Sequence, residues 1–432
     1  MIEVLKAILL DFLEEEVPMG VPRRLDVEPA PGKAAVFIGV RRSGKSTFFF
    51  QLMNRLSARG VPRENILYLN FFDDRLSGLE REGLGSITEA YYSLYPEKKN
   101  REKVYIFFDE VQGVRGWEPF VDRLMRTEKC QVHLTGSSAR MLSKEIATQM
   151  RGRALTWEIF PFSFIEFLDY KGIDVSGGLS TRKRLQVKKA FEEFWEKGGF
   201  PEVAGMSPRL RVMTHQEYFH AILFRDLVER HDISHPRAVL DLARRLLDRA
   251  GYFYTINSLF GYLKSLGHKI PKSAVSDYLD WFEDAFFLFS VRLFDASWAR
   301  SRVNPKKVYC VDHAMVASVG SGILVNRGHL LENLVFTALR RKTPDIFYGK
   351  TKGGGEVDFI ALWPKGRRRL FQVCETLKDQ EARKREVSSL AAAMKELGTN
   401  SAVIVTRWEE EVIDLDGKVI EVLPAWKFLL SL

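Results

Sequence analysis

The 432-residue chain is short of several things. It has three cysteines, Cys130, Cys310 and Cys374, with no C-x-x-C pair among them. That spacing offers neither a disulfide framework nor a thiolate zinc site. No uninterrupted apolar run approaches the length a membrane-spanning helix needs. The opening segment MIEVLKAILLDFLEEE carries acids where a secretory leader carries bases, so the expected location is the cytoplasm. Asn and Gln together number only 17, against abundant Lys, Arg and Glu, a balance found in thermophiles. The eight histidines show no metal-binding spacing: His231 and His235 are four apart, but Pro236 follows and turns the chain away. Acidic residues are in deficit: the net charge is +9 and the pI about 9.2. That favours an anionic partner such as nucleic acid, weakly for a chain of this size.

What is present begins with Gly39-Val40-Arg41-Arg42-Ser43-Gly44-Lys45-Ser46-Thr47. It follows the apolar run Ala34 to Ile38 and precedes a helical pattern from Phe48 to Leu56. Strand, glycine-bounded loop and helix is the context a phosphate-binding loop requires. Backbone N–H groups and the helix N-terminus would face one anion. Lys45 reaches the β- and γ-phosphates, and Ser46 offers Mg²⁺ a hydroxyl. Gly39, Arg42, Ser43, Gly44, Lys45, Ser46 and Thr47 are the expected nucleotide residues, with ATP and Mg²⁺ the expected ligands. Arg41 and Arg42 are not required by the loop itself and are equally readable as solvated.

The uniformly apolar run Val104 to Phe108 ends in Asp109-Glu110. A strand buried on both faces looks like this. Asp109 is placed to hold the metal and Glu110 to polarise an attacking water, since phosphoryl transfer mostly asks a protein to position groups and neutralise charge. Ser137 and Ser138 follow the next short strand, Val132 to Thr135. Either could sense the γ-phosphate or merely cap a helix. Arg151 and Arg153 precede a last strand at Trp157 to Phe160. An arginine there could reach a neighbouring subunit's phosphate, or lie on the surface.

The pattern along the chain predicts an α/β protein. Residues 1–30 read as an amphipathic helix, with Ile2, Leu5, Ile8, Leu9 and Phe12 on its stripe, and a proline-rich approach. A P-loop core with a parallel sheet is expected over 31–165, and a helical lid subdomain over 166–235. Over 236–312, three helices and two strands are the parts of a winged helix-turn-helix. A second α/β unit is expected over 313–432.

The strings GVRRSGKST, YLNFFDDRL, FFDEVQ, LTGSSARMLSKEIATQMRGR, IFPFSFIEF, GGFPEV and ENLVFTAL…GEVDF…FQVCETL occur in that order. Together they resemble the archaeal-type AAA+ ATPases that carry a C-terminal domain related to PD-(D/E)XK nucleases. The resemblance covers nearly the whole chain. It implies an AAA+ core, a winged helix and a restriction-endonuclease-like C-terminal fold. Ser138 falls where such proteins often have a sensor Asn, and Arg153 matches the trans-acting arginine, which implies a homo-oligomer, such as a hexamer. In the C-terminal domain Glu332, Glu356 and Asp358 match the nuclease carboxylates. The family then wants acid, one residue, lysine, where this chain has Gln372-Val373-Cys374. The expected nuclease site is therefore degenerate.

DNA contact is expected from Lys269, Lys272, Ser273 and Ser276 at the head of the third helix. Ser297, Arg300, Arg302, Lys306 and Lys307 fall in or near the wing, and Arg367, Arg368 and Arg369 in a C-terminal turn. Asp277, Asp280, Glu283 and Asp284 make the rest of that helix acidic, which fits protein docking as well. Three functions compete: an ATPase that remodels or translocates DNA, an ATP-switched scaffold for a protein partner, and an ATP-controlled nuclease.

Overall fold

The computed structural model describes residues 1–137, 152–320 and 326–432. It divides into two compact units, Met1–Ile159 with the short piece Asp284–Phe286, and Phe160–Glu283 with Phe287–Leu432.

The first unit is built on five strands, β1 (Ala34–Ile38), β2 (Ile66–Asn70), β3 (Val104–Asp109), β4 (Cys130–Gly136) and β5 (Ala154–Glu158). Their order is β2-β3-β4-β1-β5, and every pairing is parallel. β1 is buried at all five positions, as a central strand covered on both faces must be. The expected strand at Trp157 to Phe160 starts earlier, because Ala154 pairs with Ala34. The helix Lys45–Ala58 lays Phe48, Phe49 and Met53 on the sheet beside Phe37 and Phe107. The Phe37 and Phe49 rings meet edge to face at 5.8 Å. Cutting Phe49 to Ala would cost roughly 3–5 kcal/mol. The N-terminal helix Ile2–Glu14 buries the expected Leu5, Ile8, Leu9 and Phe12. The helix Trp117–Thr127 was not expected, although Trp117, Phe120, Val121 and Leu124 form a buried stripe at helical spacing.

The approach segment is tied to the P-loop helix by one side chain. Gln51 Nε2 donates to the carbonyls of Met19 and Val21 at 2.8 and 2.7 Å, and its Oε1 accepts from the Arg23 N–H at 3.0 Å. Arg23, itself buried, donates to the Ser43 carbonyl at 3.0 Å.

The second unit holds a mixed sheet of β6 (Phe253–Tyr254), β7 (Leu288–Leu293), β8 (Lys306–Cys310), β9 (Ile346–Lys350), β10 (Glu356–Trp363), β11 (Arg367–Val373), β12 (Ser401–Thr406), β13 (Glu411–Leu415) and β14 (Lys418–Pro424). The order is β13-β14-β12-β11-β10-β9-β7-β8-β6. The helices Phe164–Tyr170 and Thr181–Lys197 are followed by a longer helical segment, 208–229. The latter runs as an α-helix, Pro208–Ala221, into a π-helical stretch, Ile222–Glu229. Gly199 lies so close to the Phe162 backbone that a Cβ would stand 2.4 Å from its carbonyl oxygen.

The three helices expected after residue 236 are Pro236–Leu247, Ile256–Ser265 and Lys272–Asp284. The two strands that follow do not form a free wing. β7 pairs antiparallel with β8 but also parallel with β9, so the hairpin lies inside the large sheet. A short helix, Trp298–Val303, fills the connection.

Candidate functional site

The P-loop lies at the carboxyl end of β1, where a parallel sheet opens to ligands. Its geometry explains its glycines. The Ile159 N–H donates to the Ile38 carbonyl at 2.7 Å, and a Cβ on Gly39 would sit 2.1 Å from the Ile159 oxygen. Gly44 caps the helix in the left-handed region, φ 94. Arg42 also has positive φ, 64, a strain that non-glycine residues carry mostly at functional loops. Arg41 lies over the Phe72 ring at 5.7 Å.

Lys45 is buried, and its ammonium folds back onto the loop, donating to the carbonyls of Gly39 and Val40 at 3.1 and 3.2 Å. Glu110 Oε1 stands 3.8 Å from the same nitrogen. Ser43 Oγ is buried without a hydrogen-bond partner among the described residues. A buried cation resting on neutral carbonyls and an orphaned hydroxyl together suit a loop that takes up a phosphate.

Asp109, fully buried, ends β3 beside the P-loop helix. Its carboxylate accepts from Ser46, from Thr135 and, at 3.2 Å, from the Tyr68 hydroxyl. Burial raises its pKa, and the bonds from Ser46 and Thr135 work against that shift. Ser46 and Asp109 are hard oxygen donors in direct contact, the chemistry that fits Mg²⁺. Glu110 sits in the left-handed region, φ 51. Gln112 Nε2 donates to the Glu110 carboxylate, and more weakly to Ser137 Oγ at 3.3 Å.

Thr135 and Gln112 are functional candidates that sequence reasoning missed. Thr135 is fully buried; its Oγ1 accepts from the Glu110 N–H at 2.9 Å and donates to Asp109 Oδ1. A hydroxyl closing the apolar run Val132-His133-Leu134 was the available signal.

Ser137 is buried at the end of β4. Ser138 and Arg151 lie outside the described residues. Arg153 precedes β5, where its carbonyl accepts from Ala34 N–H at 2.8 Å. This is the end of β1 opposite the P-loop, so Arg153 is remote from the phosphate loop of its own chain. Its guanidinium is bonded to Asp122 at 3.2 Å.

In the second unit Lys269, Lys272 and Ser273 are exposed, and Ser276 is half-buried. Ser297 caps the short helix by accepting from the Arg300 N–H. Arg300 is exposed beside Asp295 at 3.2 Å, and Arg302 packs over the Trp298 ring. Strand alternation divides the arginine run: Arg368 lies over Phe294, Arg369 over Trp363 and Phe371. Lys306 is half-buried and its pKa is lowered, first by burial.

Lys307 is not a DNA residue. It is buried on β8, with Nζ 2.8 Å from Glu332, 2.7 Å from Glu356 and 2.9 Å from Asp358. The structure thus gathers the three expected carboxylates around a lysine that the order of motifs did not suggest. Tyr309, two residues on and so on the same face, donates to Glu332 at 2.5 Å. Gln372 Oε1 accepts from the Asp358 N–H at 3.2 Å, while its amide donates to Glu386 at 2.6 Å. Burial, then repulsion from Glu332, pushes Asp358 up to about 7. The ammonium of Lys307 would be lowered by burial, but Tyr309, Asp358, Glu332 and Glu356 outweigh this and raise it well above the usual range. The three cysteines are free thiols. Among the described residues, no helix is long and apolar enough to cross a membrane.

Residues 31–168 match a family described as an AAA domain, and residues 188–324 match a domain of unknown function. An uncharacterized protein of Methanocaldococcus jannaschii is 33% identical over 98% of this chain and 94% of its own. An uncharacterized protein of Haemophilus influenzae is 31% identical over 76% of this chain and 78% of its own. Among solved structures, a Walker-type ATPase of Pyrococcus abyssi aligns with TM-score 0.45 and 17% identity, covering 66% of this chain and 90% of that one.

Proposed function

The chain belongs to the family of these archaeal and bacterial relatives and carries an AAA domain over residues 31–168, and from that premise we propose that it is a Mg²⁺-dependent ATP hydrolase acting on DNA. The observation that carries the hydrolytic part is the convergence of Lys45, Ser46, Asp109 and Glu110 at the carboxyl ends of β1 and β3. The loop amides and Lys45 bind the triphosphate, Lys45 exchanging its carbonyl partners for phosphate oxygens. Ser46 and Asp109 would hold Mg²⁺, which supplies charge neutralisation at the phosphates when bound. Glu110, held by Gln112, orients and polarises the attacking water. Arg153 serves the site of a neighbouring copy, which makes the working form a homo-oligomer.

The DNA part rests on the exposed Lys269, Lys272 and Ser273 at the head of the Lys272–Asp284 helix, the third of a helix-turn-helix trio. Exposed Arg300, Arg302 and Arg367–Arg369 and the net charge of +9 add sequence-independent affinity. Exposed Asp277 and Asp280 on that same helix favour a second reading, an ATP-switched scaffold that docks a protein. One experiment separates them: ATP turnover with single-stranded, duplex and four-way DNA, with oligomer size measured with and without ATP. DNA-stimulated turnover by an ATP-dependent assembly supports the first reading. Turnover indifferent to all three DNAs supports the second, and no turnover in any condition overturns both.

A further inference from the structure

The resemblance to nucleases brings a divalent metal with it, and the carboxylate cluster of the second unit tests whether this chain could hold one. Glu332 comes from the helix Arg327–Arg340, and Glu356 and Asp358 from β10. Their oxygens share a centre, and that centre is the ammonium of Lys307. The three separations, 2.7 to 2.9 Å, are those of charge-assisted N–H···O bonds. Mg²⁺ would need oxygens at about 2.0–2.1 Å. An ammonium has three protons, and here three carboxylates take them.

The remaining valences are also spent within the chain. Asp358 Oδ2 accepts from the Val373 N–H at 2.9 Å. Glu332 takes a further bond from Tyr309 and one from His329 at 3.1 Å. Gln372, standing where a metal centre would want an acid, turns its amide to Glu386. Lys307 itself cannot leave cheaply. It is 4% exposed and would abandon three carboxylate partners, two of them buried, a loss larger than that of a surface pair.

We propose that Lys307 is the resident cation of this cluster, occupying the place a metal would take, so that this cluster has no metal-dependent chemistry of its own. The expected metal does not fit, and the reason is a residue supplied by β8, outside the motif order that defines the nuclease site. The cluster instead ties β8, β10 and the Arg327–Arg340 helix together through one charged centre. This inference stands independently of the nucleotide site.

The test is a Mn²⁺ titration of the full-length, nucleotide-free chain, with free Mn²⁺ followed by electron paramagnetic resonance. Wild type and Asp358→Asn are expected to bind the same number of ions. Lys307→Ser is expected to bind one more per chain, and Lys307→Ser with Asp358→Asn is expected to lose it again. A Mn²⁺ site in wild type that Asp358→Asn removes overturns the proposal, as does a folded Lys307→Ser chain with no added site. Should Lys307→Ser not fold, Mn²⁺-dependent nicking of plasmid DNA by wild type decides. Nicking abolished by Asp358→Asn overturns the proposal, and no such nicking supports it.

Discussion

Replacing Thr135 by Val tests the site at its least obvious member. The two side chains are nearly the same shape, so packing at the end of β4 is kept. What goes is one hydroxyl that accepts from the Glu110 N–H at 2.9 Å and donates to Asp109. The lost bond to a buried carboxylate costs roughly 1.5–3 kcal/mol, and a buried N–H left unpaired about 1–3 kcal/mol. Because Tyr68 and Ser46 still hold Asp109, the lower half of each range applies, about 3 kcal/mol together. For a unit this size that lowers the melting temperature by on the order of 10 °C. The chemistry should suffer separately. Glu110 sits at positive φ, and Thr135 is what fixes its backbone; a shift of about 1 Å in the base costs turnover on the order of 10²-fold. Thr135→Ser keeps the hydroxyl and loses a methyl, roughly 1 kcal/mol, so its turnover should stay near wild type. Thermal melts and steady-state ATP turnover of both variants are the assay. Equal turnover defects in Ser and Val variants, or normal turnover in Thr135→Val, would refute the reasoning.

Lys45→Ala is expected to abolish ATP binding and turnover together, measured by fluorescent-nucleotide titration. Glu110→Gln should keep ATP affinity within a few-fold while turnover falls about 10²–10⁴-fold; normal turnover would show that Glu110 is not the base. Arg153→Ala should lower turnover in the oligomer with nucleotide affinity nearly intact, whereas lost affinity would place Arg153 in its own chain's site. His133 is buried and stacked on Phe107 at 4.3 Å, and burial lowers its pKa from 6.5 to about 4. The folded chain therefore holds it neutral. Its contribution is complete above pH about 6.5 and is lost as pH falls toward 4, with a total of about 3 kcal/mol. His133→Phe should flatten the loss of melting temperature over that window; an unchanged slope assigns it to other groups.

The candidate nucleotide site was legible because its residues are local. The motif from Gly39 to Thr47 fixes a strand, a loop and a helix at once, and Asp109-Glu110 ends the next buried run. Parallel pairing of β3, β4 and β1 then brings them together without further instruction from the sequence. Thr135 and Gln112 were missed because a Thr or Gln after an apolar run is also ordinary strand-end chemistry. The helix Trp117–Thr127 was missed despite its apolar stripe, its signal falling between two stronger strands. The β13–β14 hairpin was missed too, although Asp416-Gly417, both at positive φ, is a recognised two-residue turn. Lys307 could not be found by reading. On β8, Lys306 and Lys307 are a basic pair next to a proline, which looks like a solvated wing. Only the return of β9, β10 and the Arg327–Arg340 helix over that strand makes one of the two the centre of an ion cluster.

Both units place a lysine near carboxylates, and the difference between the two lysines separates the site proposed to take a ligand from the one proposed not to. Lys45 rests on two neutral carbonyls at 3.1 and 3.2 Å, with Glu110 3.8 Å away. Exchanging carbonyls for phosphate oxygens replaces weak dipoles with charge and gains energy. Under the proposed mechanism, Glu110, no longer held by the ammonium, is then available to water. Lys307 already has three carboxylates at hydrogen-bond distance. Any incoming cation must first displace an ammonium that bridges three carboxylates, and any anion meets repulsion from those same carboxylates. Sequence reading places Lys45 in a phosphate loop by its motif and Lys307 on a wing by its charge. Partner chemistry separates them for a physical reason: a lysine that binds a ligand needs replaceable neighbours, and Lys307 is held by three carboxylates.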